Sequence, residues 1–320
     1  RSLQREKEAA TSSMELDFDP PSVAPYDVNR SVVRAFQLGL NPDPDALVRA
    51  QAEAWAGEAE AEILVELWRE CNVLAEESPV WPLYGNQGFA WYRFWVRPLV
   101  PDIEKIPCAE RAYYEDYMLT HFNNPHNIDL RADALWRIHT CEEMRETLMR
   151  YDEAILPRLD RAIHAAGNAG ERADPDNGKG SVFRDLYDRL RAYRCYNRTL
   201  RNVAAWISGV HGYLESDNKE SREQCDRLVR EMVNNELENT RDLLDLWENT
   251  PIIFMPIHIH GEWMHDYGPN FGELLKKKIA LMKKYKDYPP RIDPDFMWRL
   301  PHRDEVELAP DVEPGEYLKF

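Results

Sequence analysis

Two stretches of this chain gather residue types that do chemistry. The first is His258-Ile259-His260-Gly261-Glu262-Trp263-Met264-His265, three imidazoles and a carboxylate within eight residues. These are ligand types that zinc and iron accept. In extended backbone His258 and His260 share a side, while Glu262 and His265 suit one helical turn. Gly261 and the nearby Pro256 leave the backbone path open, so hydrogen-bonded or solvent-facing histidines are the simpler expectation. A helical di-iron site needs two Glu-x-x-His motifs on facing helices, and Glu262 to His265 supplies one such spacing, in a loop. No cofactor is expected, and the cluster stands as the weaker metal candidate.

The second stretch spans residues 78 to 107, where Trp81, Tyr84, Trp91, Tyr92 and Trp95 crowd together with Asn86, Gln87 and Arg93 among them. Flat rings stack on the apolar faces of sugars, and amide and guanidinium groups bind hydroxyls. Trp81, Tyr84, Trp91, Tyr92, Arg93 and Trp95 are therefore the candidate saccharide-binding residues. The plainer role for the same rings is to plug the end of a helical core, since aromatics supply large buried area.

The elements that must position these residues are helices. Val182, Leu186, Leu190, Tyr193, Tyr196, Leu200, Val203, Ile207, Val210 and Leu214 recur at steps of three or four. That spacing predicts one helix over 181–215 with a continuous apolar stripe. Further helices are expected after Asp27, over 45–77 with a break at Gly57, over 130–166 with a kink or restart at Pro157, over 219–248 and over 271–285. Pro42 and Pro44 end the first, and Asp43 or Asp45 caps the next. Gly167 to Gly180 is expected to be a turn-rich connection. The fold class is all-α, a bundle of long antiparallel helices with long aromatic-rich loops. Residues 1–29 form an irregular entry or the remnant of an upstream domain, 30–288 the helical domain and 289–320 a tail.

Charge narrows the partners. The chain has 320 residues with 57 acidic against 40 basic side chains, a formal charge of −17. Such a field repels phosphate backbones and anionic membranes, so neither nucleic acid nor a membrane is expected as partner. Glu142, Glu143 and Glu146 on one helix and Arg191, Arg194, Arg198 and Arg201 on the next are expected to form an exposed, ion-paired face. Cys71, Cys108, Cys141, Cys195 and Cys225 are odd in number with no CxxC pair, which reads as separate buried thiols in a reducing, cytoplasmic setting. The chain starts at Arg1 with no apolar leader behind it, which is read as a processed product or a piece of something longer.

Three phrases add a resemblance. Trp91-Tyr92-Arg93-Phe94-Trp95-Val96-Arg97-Pro98-Leu99-Val100-Pro101, Asn123-Asn124-Pro125-His126-Asn127-Ile128-Asp129-Leu130 and Ile292-Asp293-Pro294-Asp295-Phe296-Met297-Trp298-Arg299 together resemble the helical C-terminal region of large bacterial glycoside-hydrolase-like proteins of the α-glucuronidase-like kind. The resemblance covers about residues 27 to 300. It implies a helical region packed on a TIM barrel, shaping its cleft or a dimer contact, with the catalytic carboxylates in the barrel and outside this chain. No catalytic residue is carried over. The implied role is a helical accessory domain that contributes to saccharide binding or subunit contact, with carbohydrate, an upstream domain or a second copy as partner. If the full-length protein is an enzyme, the implied activity is glycoside hydrolysis. The rival expectations are a self-contained helical metalloenzyme or oxidoreductase built on His258, His260, Glu262 and His265, and a purely structural oligomerisation module.

Overall fold

A computed structural model describes residues 24–38, 43–79, 95–107, 109–110, 141–173, 179–254 and 270–291. Among the described residues the regular structure is helical and no strand is present. The helices are α1 (Val28–Gln37), α2 (Pro44–Ala56), α3 (Ala61–Glu77), α4 (Cys141–Arg150), α5 (Leu156–Arg172), α6 (Ser181–Glu215), α7 (Lys219–Asn249) and α8 (Phe271–Tyr285). The described residues therefore form an all-α bundle. Contacts group the described residues into two compact units: those within 1–78, 157–194 and 250–256 form one, and those within 79–156, 195–249 and 257–320 the other. Helix α6 belongs to the first unit up to Arg194 and to the second from Cys195.

In the first unit the helix starts follow local chemistry. Asp27 Oδ1 accepts the Arg30 amide at 3.2 Å and Asp43 Oδ1 accepts the Asp45 amide at 3.1 Å, each occupying a donor the first turn cannot satisfy. Pro44 sits in the first turn of α2, where its missing N–H costs nothing. Gly57 ends that helix at φ 86°, a left-handed conformation that side chains resist. Tyr26, Trp55 and Trp68 then meet edge to face, with centroids 5.5 and 5.9 Å apart. Helix α5 runs antiparallel to α3, with Arg158 on Glu70 and Arg172 on Glu60.

Helix α5 departs from the expected boundaries. It continues to Arg172 instead of ending near Ala166, so the turn-rich connection starts later than predicted. Two glycines inside a helix cost about 1 kcal/mol each, but here they admit close packing. A Cβ on Gly167 would lie 3.2 Å from the Tyr187 ring, and one on Gly170 3.6 Å from Phe183 Cβ. Tertiary contact outweighs intrinsic propensity.

Ahead of Pro157 the helix widens into a π turn, Tyr151–Ile155, whose closing bond runs from the Leu156 amide to the Tyr151 carbonyl. The interruption expected at Pro157 thus falls one turn ahead of it, as a π turn. The wider turn eases the clash that a proline ring makes with the carbonyl four residues earlier.

In the second unit α6 and α7 are antiparallel. Asn239 Nδ2 donates to the Cys195 carbonyl at 2.9 Å, Asn202 Nδ2 to Glu236 Oε2 at 2.7 Å, and Gly209 lies against Val229. Helix α8 returns along α7, with Phe271 edge-on to Trp247 at 5.2 Å and Lys276 bonded to Glu248. From Asn202 to Gly212 every residue of α6 is buried, so here the helix is enclosed all round and not along one stripe. Asn202, Ser208 and His211 are therefore interior residues.

The arginine-rich face of α6 finds other acids than Glu142, Glu143 and Glu146 for its closest pairs. Arg194 meets Asp160 in the first unit, and in the second Arg201 makes a two-pronged contact with Asp152 at 2.9 Å while Arg198 reaches Glu238 and Asp242. The register explains the correction: Cys141 lies beside Ser208, so the Glu142 region faces the far end of α6.

Candidate functional site

In the first unit, facing turns of α5 and α6 leave a groove of about 480 Å³. Its floor follows from the glycine packing. Gly167 and Gly170 lack side chains, so Tyr187 and Phe183 of α6 reach α5 directly and the ring of Tyr187 borders the groove. Hydrogen-bonding groups also line the groove: His164, Asn168, Arg184, Asp160 and Glu171. Asn168 Nδ2 and His164 Nε2 are 3.0 Å apart, which joins two groups one helical turn from each other. The Arg191 guanidinium lies 5.5 Å from the centre of the Tyr187 ring and holds it by cation–π attraction. Asp160 is engaged by Arg194. A half-buried aromatic ring beside an amide, an imidazole and a guanidinium can bind a ligand with one apolar face and several hydroxyls.

Of the six residues expected to bind saccharide, Trp95 is the one described. Its ring is buried, edge-on to Tyr196 at 5.6 Å and tilted against Phe271 at 5.6 Å. It thus packs as an anchor of the second unit, the plainer of the two roles. The chain after it is equally fixed: Val96, Leu99, Val100, Ile103 and Ile106 are buried, and Trp206 Nε1 donates to the Val100 carbonyl at 2.7 Å. Trp81, Tyr84, Trp91, Tyr92 and Arg93 lie outside the described residues, as do His258, His260, Glu262 and His265. Among the described residues no group of three or more His, Cys, Asp or Glu side chains is gathered to hold a metal ion.

The second unit contains a polar centre that the sequence reading missed. Lys278 of α8 and Glu236 of α7 form an ion pair with side chains 1% and 0% exposed. Lys278 Nζ also donates to the Trp95 carbonyl at 3.0 Å. Glu236 accepts from Thr199 Oγ1 at 2.9 Å and Asn202 Nδ2 at 2.7 Å, and Asn239 Nδ2 bonds Thr199 Oγ1 at 3.0 Å. Burial pushes the Lys278 ammonium below its ordinary value, and the Glu236 carboxylate works against that shift. A buried lysine of lowered basicity is the kind of group nucleophilic catalysts use. Here its donors point into carboxylate and carbonyl oxygens and its head is shut from solvent, so the cluster ties α6, α7, α8 and the Trp95 segment together.

A signal for this centre was present. Lys278 falls in the apolar register Phe271, Leu275, Lys278, Met282, Tyr285, and Glu236 in Val229, Met232, Glu236, Thr240, Leu243. A charge placed at a core position predicts a buried partner. The groove gave no comparable signal, because it depends on which side chains two distant glycines admit.

No family model, no curated relative and no solved structure matches this chain.

Proposed function

We propose that this chain is a helical accessory module of a carbohydrate-active protein, which binds a saccharide and does not cleave it by itself. The observation that carries the reading is the α5–α6 groove, where the Tyr187 ring stands beside Asn168, His164 and Arg184. A pyranose offers an apolar face to a ring and a belt of hydroxyls to amides and guanidinium groups, and this lining supplies both. Trp81, Tyr84, Trp91, Tyr92 and Arg93 have the same residue chemistry and are the second set of candidate binding residues.

Cleavage would need two carboxylates, one acid and one base or nucleophile, about 5 to 10 Å apart across the scissile bond. The groove's Asp160 is paired with Arg194. Hydrolysis in this reading belongs to a domain outside these 320 residues, as the resemblance to α-glucuronidase-like proteins implies.

Calorimetric titration with a panel of oligosaccharides, with and without uronic acid, tests the reading. Binding by the wild-type chain that falls at least about tenfold in Tyr187→Ala, the loss of about 1.4 kcal/mol, supports the groove. A loss confined to Trp91→Ala assigns the same function to the aromatic segment. Flat titrations across the whole panel contradict the proposal.

A further inference from the structure

Cys141 at the start of α4 and Cys225 on α7 are 84 positions apart in sequence, yet their sulfur atoms converge beside Gly212 of α6. A Cβ on Gly212 would lie 2.6 Å from Cys225 Sγ and 3.4 Å from Cys141 Sγ. The two sulfurs are therefore separated by no more than the sum of those distances, and the Cys225 sulfur and the Arg145 guanidinium crowd the place where a side chain on this residue would sit. Arg145, one turn along α4 from Cys141, aims Nη2 at Cys225 Sγ from 3.9 Å. Cys141 Sγ lies 3.4 Å from the Ser208 carbonyl. Neither thiol is in a disulfide. Cys225 is buried, whereas Cys141 is partly open to solvent.

We propose that Cys141 and Cys225 form a redox couple, which hydrogen peroxide oxidises to a disulfide linking α4 to α7 beside Gly212. The more accessible Cys141 thiol reacts first. Its sulfur attacks one peroxide oxygen, the O–O bond breaks, and the products are a Cys141 sulfenic acid and one water. Cys225 sulfur then attacks the Cys141 sulfur; the S–S bond forms, the S–O bond breaks, and the departing hydroxide takes the Cys225 proton to leave a second water. Two thiols lose two electrons and two protons, and the peroxide is reduced to two waters. Burial holds the Cys225 thiol above its ordinary pKa, which Arg145 partly offsets by favouring the thiolate. The guanidinium thus stands where the attacking sulfur needs a positive neighbour. Bonding requires an S–S distance of about 2.05 Å, and rotation of the two side chains beside Gly212 is the movement that supplies it.

The test uses the full chain, treated with one equivalent of hydrogen peroxide and digested without reductant for mass spectrometry. The expected product joins the Cys141 and Cys225 peptides, is two hydrogens lighter than their sum, and disappears on reduction. Folded protein should give more of it than urea-unfolded protein. Gly212→Ala, with its circular dichroism unchanged, should lower the yield at least about tenfold by displacing the Cys225 sulfur. Should that variant not fold, Cys141→Ser replaces it, and Cys225 must then stay a thiol at the same peroxide dose. Cys141 recovered as sulfinic acid with Cys225 unlinked overturns the proposal, as does equal cross-linking in folded and unfolded chains.

Discussion

Lys278 and Glu236 meet as a charge pair with neither side chain exposed by more than 1%. Removing two charges from water is expensive, and their attraction offsets that cost only when the remaining donors and acceptors are also satisfied. Here Thr199, Asn202 and Asn239 bring hydrogen atoms to the carboxylate, and the Trp95 carbonyl takes a second ammonium proton. Removing one member strands the other. Lys278→Met should cost about 3 to 5 kcal/mol in urea unfolding. In a double-mutant cycle with Glu236→Gln the two losses should fall short of additive by at least about 1 kcal/mol. Additive losses would mean that the pair is not coupled.

The same burial fixes a pH dependence. Because the Lys278 ammonium in the folded chain has a pKa below its ordinary 10.5, the unfolded chain binds more protons between those two values. Stability contributed by this group therefore rises with pH through that interval. The unfolding free energy of wild type, minus that of Lys278→Met, should increase as pH climbs toward 10.5. A difference that stays level or falls contradicts the assignment of the shift to burial.

How much of this arrangement was legible in the sequence depends on the residue. The stripe from Val182 to Leu214 gave α6 its limits, because a 3.6-residue repeat sustained that far has one structural solution. Asp27, Asp43 and Gly57 marked helix ends through local bonds that need no tertiary knowledge. The end of α5 did not emerge, since Gly167 and Gly170 read as breakers until the Tyr187 and Phe183 side chains that fill their place are known. The groove was hidden for the same reason. The ion-paired face of α6 was visible as a pattern, but its partners depend on inter-helix register, which periodicity alone leaves open.

Close approach of α6 to α7 gives a steric prediction. A Cβ on Gly209 would fall 2.5 Å from Val229 Cγ2 and 3.4 Å from the Cys225 carbonyl. Gly209→Ala should destabilise by about 1 to 3 kcal/mol through overpacking. Adding Val229→Ala removes the clashing methyl, so the double variant should be more stable than the sum of the two single losses. If Gly209→Ala leaves the urea midpoint unchanged, the helices are not in contact there.

Cys71 gives a chemical prediction in the other unit. Burial, reinforced by the Glu70 carboxylate, pushes its thiol up to about 11. Since the thiolate is the nucleophile, iodoacetamide at pH 8 should label Cys71 at least about 100-fold more slowly than a free cysteine. Glu70→Gln should speed that labelling. Rates equal to the free amino acid would contradict the shift.

The most direct test of the proposed function is photo-crosslinking with a diazirine-bearing oligosaccharide, followed by peptide mapping. A saccharide held in the α5–α6 groove should label peptides containing His164 to Glu171 and Phe183 to Tyr187. Excess unlabelled sugar should suppress that signal, and Tyr187→Ala should remove it. Label spread evenly over the surface, or unaffected by competitor, would contradict a saccharide site in this module.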